Sequence, residues 1–416
     1  MRFIMKSGKN LNDLLNENKA QILRYLIHHR GCSRTELSEA VGLKPASITK
    51  IVQQLLEDNL VVETGLSEGA KGRRSISLSF NYSDFYVIAI KISWERLKID
   101  LLDFAGISRN ELISLTIEHL TYHSMDALIS LIAEKVAEIC RRHPHIIAVG
   151  VATVGPYVYN EGSILFSEPR ADEKTAYPLL KKLQEKISLP VFADHDAAAG
   201  ALGYWWFRTS CNPHTRLMHI FAAEGVGGNF VLNGHPLSDF LSHAFEFGHI
   251  IINLHGEQCS SGCIGCLETY CSFPSFIRRT RERLSHFPDS LLQAKKDTFT
   301  IYDIISAMKV KDPLALAMVE EWGHSLGCGI ASILPLFFPD VVVVSDIMTS
   351  CGDVLLDAIQ SSLRHYKHGC YEEPKLIFTN PQDDLVLLGA ATVAIDKVVS
   401  NPSRYLSPPP KSADQE

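Results

Sequence analysis

Apolar residues in the first 82 positions recur with a helical period and then switch to alternation. In NKAQILRYLIHHR, from Asn18, the residues Ile22, Leu23, Leu26 and Ile27 share one helix face, and Gly31 stops the pattern. SRTELSEAVGL follows, with Ser33 and Glu36 spaced as a capping box and Gly42 closing a short second helix. KPASITKIVQQLLEDN predicts a third. Pro45 suits its first turn, Ile48, Val52, Leu55 and Leu56 make its apolar face, and Ser47, Thr49, Lys50, Gln53 and Gln54 remain outside. LVVETGL and RSISLSF then alternate as two strands joined by SEGAKGRR. Helix, helix, helix, hairpin is the order of a winged helix-turn-helix, here residues 1–82. Such a module lays its third helix in the major groove. Ser47, Thr49, Lys50 and Gln53 are then placed near base edges, and Lys71, Arg73 and Arg74 of the wing tip near phosphates or the minor groove. The competing reading is a three-helix bundle with a solvated basic turn; the capped second helix, the short turn after it and the Gly-Arg-Arg tip favour DNA. Residues 18–82 hold nine Lys and Arg against six acids, so the basic signal is positional more than compositional. One module of this size binds weakly, and a symmetric dimer on operator DNA is expected.

Beyond Asn81 strands and helices alternate. FYVIAIKISWERLKIDLLDF reads as a hairpin, IIAVGVATVGPYV as a strand entering a Gly-Pro turn, and LPVFADHDAAAGALGYWWF as strand then helix. LMHIFAAEGVGGNFVLNG reads as a second hairpin and PDVVVVSDI as a buried strand. Two halves that each open with a hairpin imply a duplicated α/β architecture, the actin-like ATPase (ribonuclease H-like) fold, with a ligand cleft between lobes. The expected division is lobe 1 at 83–194, completed by 383–400, lobe 2 at 195–382 with an oligomerisation surface, and a flexible tail at 401–416. Composition adds limits: 46% hydrophobic and 21% charged residues are those of globular chains, and a net charge of −7 gives no general attraction for polyanions. The first residues carry no signal-peptide core and no run is long enough to span a bilayer, so a cytoplasmic protein without membrane insertion is expected. Ten cysteines then read as thiols, and the cluster Cys259, Cys263 and Cys266 as a metal site.

The succession PASITKIVQQLLEDNLV, GRRSISL, GVATVGP, HDAAAGALG, EGVGGNFVLNG, FEFGH, CLETYCS, FFPDVVVVS and LGAATVA resembles the ROK family of repressors, open reading frames and sugar kinases, from about Asn18 to Val398. Within it the chain is similar to the Mlc/NagC-like helix-turn-helix regulators. The resemblance implies a DNA-binding repressor of genes for sugar uptake or metabolism, acting as a dimer or tetramer and controlled by a sugar or sugar phosphate. The family's kinases need a DxGGT turn, a GTGxGG phosphate turn and a late GGG. The matching positions here are Lys91-Ile92-Ser93-Trp94-Glu95, Ala223 to Gly228, and Ser345-Asp346-Ile347, so all three nucleotide elements have changed. No catalytic residue is assigned and the chain is expected not to be an enzyme; the alternative is a ROK sugar kinase with residual ATP-dependent phosphotransfer through Asp196.

The sugar side is retained. Asp196 of HDAAA, Glu246 and His249 of ExGH, and Glu268 of GCLE match the family's sugar-binding positions, with His195 and Gly155 as weaker candidates. Carboxylates and imidazole suit a polyol, accepting and donating to its hydroxyls. In the family, His of ExGH and three Cys of CxCGxxGC hold structural zinc. Here Ser261 stands at the second Cys position, a poor zinc ligand because its hydroxyl must lose a proton, and His249, Cys259, Cys263 and Cys266 are the expected ligands. His28, His29, His219 and His243 are read as packing or surface residues.

Overall fold

A computed structural model describes residues 10–29, 31–68, 74–167, 174–209, 212, 214–240, 245–366 and 372–406. The head consists of α1 (Leu11–His28), α2 (Arg34–Val41), α3 (Pro45–Glu57) and the antiparallel pair β1 (Val61–Glu68) and β2 (Arg74–Phe80). Helix α1 starts earlier than the apolar period suggests, because Asn10 and Asp13 form a capping box. Ser33 and Glu36 form the second, and Gly42 ends α2 in the left-handed conformation at φ 69°. The core joins Ile22, Leu23, Leu26 and Ile27 of α1, Leu37, then Ile48, Ile51, Val52 and Leu55 of α3, with Leu78 and Phe80 of the wing, all buried. Each such side chain contributes about 1.5–3 kcal/mol. Ile51, rather than Leu56, completes the buried face of α3.

There follow β3 (Tyr86–Ile92), β4 (Arg96–Asp103), β5 (Ile113–Thr116), α4 (Met125–Arg142), β6 (Ile146–Thr153), β7 (Tyr157–Val158), β8 (Ser163–Ser167), β9 (Lys174–Tyr177), α5 (Leu179–Lys186) and β10 (Val191–His195). Next come α6 (Asp196–Arg208), β11 (Leu217–Ala222), β12 (Val226–Leu232), β13 (His235–Pro236), α7 (Glu268–Cys271), α8 (Phe273–Arg283), α9 (Ile301–Lys309) and α10 (Pro313–Phe337). The chain ends in β14 (Val341–Ser345), α11 (Gly352–Tyr366), β15 (Lys375–Phe378), α12 (Leu385–Ser400) and α13 (Pro402–Tyr405). Two five-stranded sheets result, ordered β10-β6-β3-β4-β5 and β13-β12-β11-β14-β15. Numbered by order of appearance within each sheet and read from opposite edges, both run third, second, first, fourth, fifth strand. The duplication read from the two hairpins is therefore a duplication of topology.

The chain separates into two compact units, 1–152 with 178–193 and 390–416, and 153–177 with 194–389. This differs from the expected division in three places. The head clusters with the first lobe instead of standing apart: Phe80 stacks on Phe104 at 5.1 Å, and Arg24 pairs with Asp396 at 2.7 Å. Residues 153–177 go with the second unit, where β7, β8 and β9 make a separate sheet. The tail is ordered further than expected, since Pro402 opens α13 and Asn16 accepts from the Ser403 amide at 3.0 Å. The second unit's core centres on Trp322, stacked on Phe276 at 4.4 Å, beneath β11 and β14.

Candidate functional site

On α3 the buried Ile48, Ile51, Val52 and Leu55 leave Ser47, Thr49, Lys50 and Gln53 exposed together on the other side. Thr49 donates to the Pro45 carbonyl at 2.9 Å and Gln53 to Glu57 at 3.0 Å, so both side chains are ordered on the helix surface. Lys71 and Arg73 lie outside the described residues. Arg74 opens β2 opposite Glu68 in the hairpin register.

In the second unit, β10 delivers Asp194, His195 and Asp196 to the start of α6. His195 caps that helix, its Nδ1 accepting from the Ala197 amide at 3.4 Å and lying 3.3 Å from Asp196 Oδ1. Asp194, buried, accepts the His195 amide at 2.7 Å. Burial raises its carboxyl to about 6, against the opposing effects of the Tyr159 hydroxyl and that amide. Gly155, at φ 85°, shapes the turn after β6.

Glu246 and His249 flank a single 3₁₀ turn, with Glu246 Oε2 3.9 Å from His249 Nε2. The same ring nitrogen is 3.2 Å from Ser261 Oγ, and Ser260 donates to Glu268 Oε1 at 3.4 Å. Glu246, His249 and Glu268 thus lie along one run of polar contacts that passes through Ser260 and Ser261. His195 and Asp196 stand at the start of α6, and Gly155 in the turn after β6.

The segment Gly225 to Gly228, read from sequence as a spoiled phosphate turn, is what seats these elements. A Cβ on Gly225 would lie 3.0 Å from Glu268 Oε2, and one on Gly227 3.3 Å from the Ala197 Cβ beside Asp196. A Cβ on Gly228 would meet Phe247 at 2.9 Å, and one on Gly248 would meet the Val226 carbonyl at 2.6 Å. The glycines let Glu268, Ala197 and Phe247 approach this backbone closely, a role their spacing did not disclose. Asp194, Tyr159 and Ser260 were missed as well: single polar residues in apolar or turn context carry no periodic signal.

The three altered nucleotide positions have specific local structure. Ser93 closes the β3–β4 turn by donating its amide to Arg96, with Trp94 stacked on His119 at 5.5 Å and Glu95 3.5 Å from that imidazole. At the second, Ala223 accepts the Phe273 amide at the start of α8 at 2.7 Å, and Glu224 is exposed at the tip. At the third, Asp346 keeps a glycine-type backbone, φ 72° and ψ −169°, and its carboxylate accepts the Ile347 amide at 2.6 Å. His219 is a packing residue: fully buried, it lies 2.7 Å from Ser345 Oγ. His243 lies outside the described residues.

For a metal, the structure gathers His249, Cys259 and Cys266. His249 Nδ1 is 3.8 Å from Cys259 Sγ, which is 3.5 Å from Cys266 Sγ. Bonds of about 2.05 Å to nitrogen and 2.3 Å to sulfur at a tetrahedral angle give edges of about 3.6 and 3.8 Å, so the two edges that meet at Cys259 suit a zinc site, and all three ligand atoms lie within 4.8 Å of one another. Burial, then the Cys259 thiol, pushes Cys266 up to about 12, a proton that metal binding must displace. Cys263 is not part of the trio. Gly262 turns the chain at φ 87°, and Cys263 offers its carbonyl to the Cys259 amide at 2.7 Å while its exposed thiol bears on Cys266 and adds to the rise there.

Two sheets of ribonuclease H-like order behind a winged helix define an actin-like, two-lobed protein fitted with a DNA-binding head. The chain belongs to the ROK family, which residues 105–397 match, and residues 15–62 match the winged helix-turn-helix DNA-binding family. It is 25% identical to a putative xylose repressor of Caldicellulosiruptor sp. (strain Rt8B.4), over 92% of this chain and 97% of that protein. It is 28% identical to the DNA-binding transcriptional dual regulator NagC of Escherichia coli (strain K12), over 84% and 86%. A solved ROK family transcriptional regulator, a homologue of the E. coli MLC protein, superposes with a TM-score of 0.78 at 24% identity, over 94% of this chain and 97% of that one. Among the described residues no helix is long and apolar enough to cross a membrane.

Proposed function

We propose that the protein is a sugar-responsive transcriptional repressor whose head binds operator DNA as a dimer and whose second unit takes a sugar or sugar phosphate without phosphorylating it. The observation that carries the reading is the Gly225–Gly228 segment: its open backbone is packed against Glu268, Ala197 and Phe247, and its tip presents the Glu224 carboxylate where a polyphosphate would need positive charge. Asp196, Glu246, His249 and Glu268 are the hydroxyl-binding groups, with His195 capping the helix that Asp196 opens. The relatives' names, a putative xylose repressor and an N-acetylglucosamine repressor among them, support the same class.

His249, Cys259 and Cys266 would hold a zinc ion, which supplies a brace between the ExGH turn and the start of α7. His249 then serves both ion and effector through its two ring nitrogens, with Nε2 on the Ser261 and Glu246 side.

The test is a thermal-shift screen with D-xylose, D-glucose, N-acetylglucosamine and N-acetylglucosamine 6-phosphate, followed by gel shift on duplexes selected from random DNA and a coupled ATP-consumption assay. A melting rise with one sugar, a change in duplex affinity with that sugar, and no ATP turnover are expected. Sugar-dependent ATP consumption would replace this reading with the kinase one.

A further inference from the structure

Helix α12 is a single rod whose first residues, up to Gly389, belong to the second unit and whose remainder, from Ala390, belongs to the first. In the second unit it meets α6 backbone to backbone. A Cβ on Gly389 would lie 1.9 Å from the Ala199 carbonyl oxygen, and one on Gly203 2.8 Å from the Gly389 Cα. Ala199 is one turn from Asp196, the residue at which α6 begins and to which the effector reading assigns a sugar hydroxyl. In the first unit the Ala390 carbonyl is equally close to β6, where a Cβ on Gly150 would fall 1.8 Å from it. No side chain intervenes at either contact to absorb a displacement.

The far end of the same helix is tied to the DNA-binding head. Arg24 of α1 reaches Asp396 Oδ1 at 2.7 Å and Ser400 Oγ at 2.6 Å with one guanidinium nitrogen. Ser400 in turn donates to the Asp396 carbonyl at 2.5 Å. Just beyond, Asn16 of α1 donates to Asn401 at 3.2 Å and accepts from the Ser403 amide at 3.0 Å. These polar links are partly exposed, with Arg24 35% and Asp396 22% accessible, so each contributes little to stability. Arg24 lies between Leu23 and Leu26 of the α1 core face, so what turns Arg24 turns the helix on which α3 packs.

We infer that α12 carries effector occupancy to the head, with Gly389 on α6 as its input and Arg24 with Asn16 as its output. This rests on the sugar-responsive reading given above. A sugar that prefers one placement of the α6 start biases α12, and α12 biases the orientation of α1 and the recognition helix. Arg24 and Asn16 act as positioning residues, since neither is assigned to DNA or sugar.

The experiment compares native protein, Arg24→Gln and Asp396→Asn by fluorescence anisotropy on a selected duplex, with and without the sugar that gives the largest thermal shift, alongside calorimetric sugar binding. Sugar affinity unchanged within about twofold and a sugar-induced change in DNA affinity reduced by at least about fivefold are expected; variants that respond to sugar as the native protein does would overturn the inference. A native protein that responds to no sugar would refute the functional reading, and a second arm judges α12 without any sugar. Val386→Ala loosens the α6 seat, because Val386 faces Gly200 at 3.5 Å from a Cβ built there. Its effect on DNA affinity is measured with Arg24 intact and in Arg24→Gln, after melting curves show both fold. A departure from additivity greater than about twofold supports transmission through α12, and strict additivity overturns it.

Discussion

Replacing Gly225 by Ala tests whether the old phosphate turn now supports the sugar site. Gly225 has no left-handed backbone angle, so alanine fits its conformation, and the added Cβ would sit 3.0 Å from Glu268 Oε2. An ordinary contact needs roughly 3.5 Å, so the carboxylate must withdraw by about half an ångström. The displaced atom is the end of a flexible side chain, and the melting temperature without ligand should change little, equivalent to less than about 0.5 kcal/mol. A hydrogen bond from a sugar hydroxyl to a carboxylate is worth about 1.5–3 kcal/mol, and misplacing one of the two oxygens should weaken sugar binding by roughly ten- to a hundredfold. Isothermal titration with the sugar identified by thermal shift reads this directly. Unchanged sugar affinity at unchanged melting temperature would show that Glu268 does not grip the effector, and the argument from packing would fail with it.

Other consequences follow from the same geometry. Asp194, raised from 3.8 to about 6 by burial, keeps a proton in the folded protein over a pH range where the unfolded chain has lost it. Its contribution to stability is therefore greatest below about pH 4 and falls as pH rises to about 6, by at most ~3 kcal/mol. Asp194→Asn should flatten that part of the stability curve in urea titrations at pH 4.5 and 7, and an identical difference between the two pH values in both proteins would contradict the assignment. Gln53→Ala should cost about 1–3 kcal/mol on the preferred duplex and relax base preference at one position, whereas equal losses on all sequences would move Gln53 from base reading to backbone contact. Cys259→Ser should abolish zinc in the purified protein and lower its melting temperature, while Cys263→Ser should retain at least part of the metal; the reverse ranking, measured by elemental analysis, would place Cys263 in the site ahead of the trio.

The head was legible in the sequence because its signals are local. A capping box at Ser33 and Glu36, a left-handed Gly42 and the period of Ile48, Val52 and Leu55 each act within a few residues, and all reappear. Its association with the first lobe was not legible, since it depends on Phe80 meeting Phe104 outside any shared element and on Arg24 meeting Asp396, 372 positions away. The positions matching the family's sugar motifs were legible as motifs, but what packs around them was not. Gly225, Gly227 and Gly228 looked like remnants of a nucleotide loop, and only the three-dimensional contacts with Glu268, Ala197 and Phe247 show what their missing side chains permit. The metal ligands illustrate the same limit. Cys263 was the expected replacement for the family cysteine at 261; it meets Cys259 through its carbonyl, and its thiol bears on Cys266 from outside the trio.

The central claim is that a sugar-binding site lacking phosphotransfer controls the DNA-binding head, and linkage tests it most directly. Sugar affinity is measured by calorimetry with the protein free and saturated with duplex, and duplex affinity by anisotropy with and without saturating sugar. Equal factors of at least about fivefold in both directions are predicted, because coupling between two binding equilibria is reciprocal. A sugar that binds tightly yet leaves duplex affinity unchanged in both measurements would contradict the account.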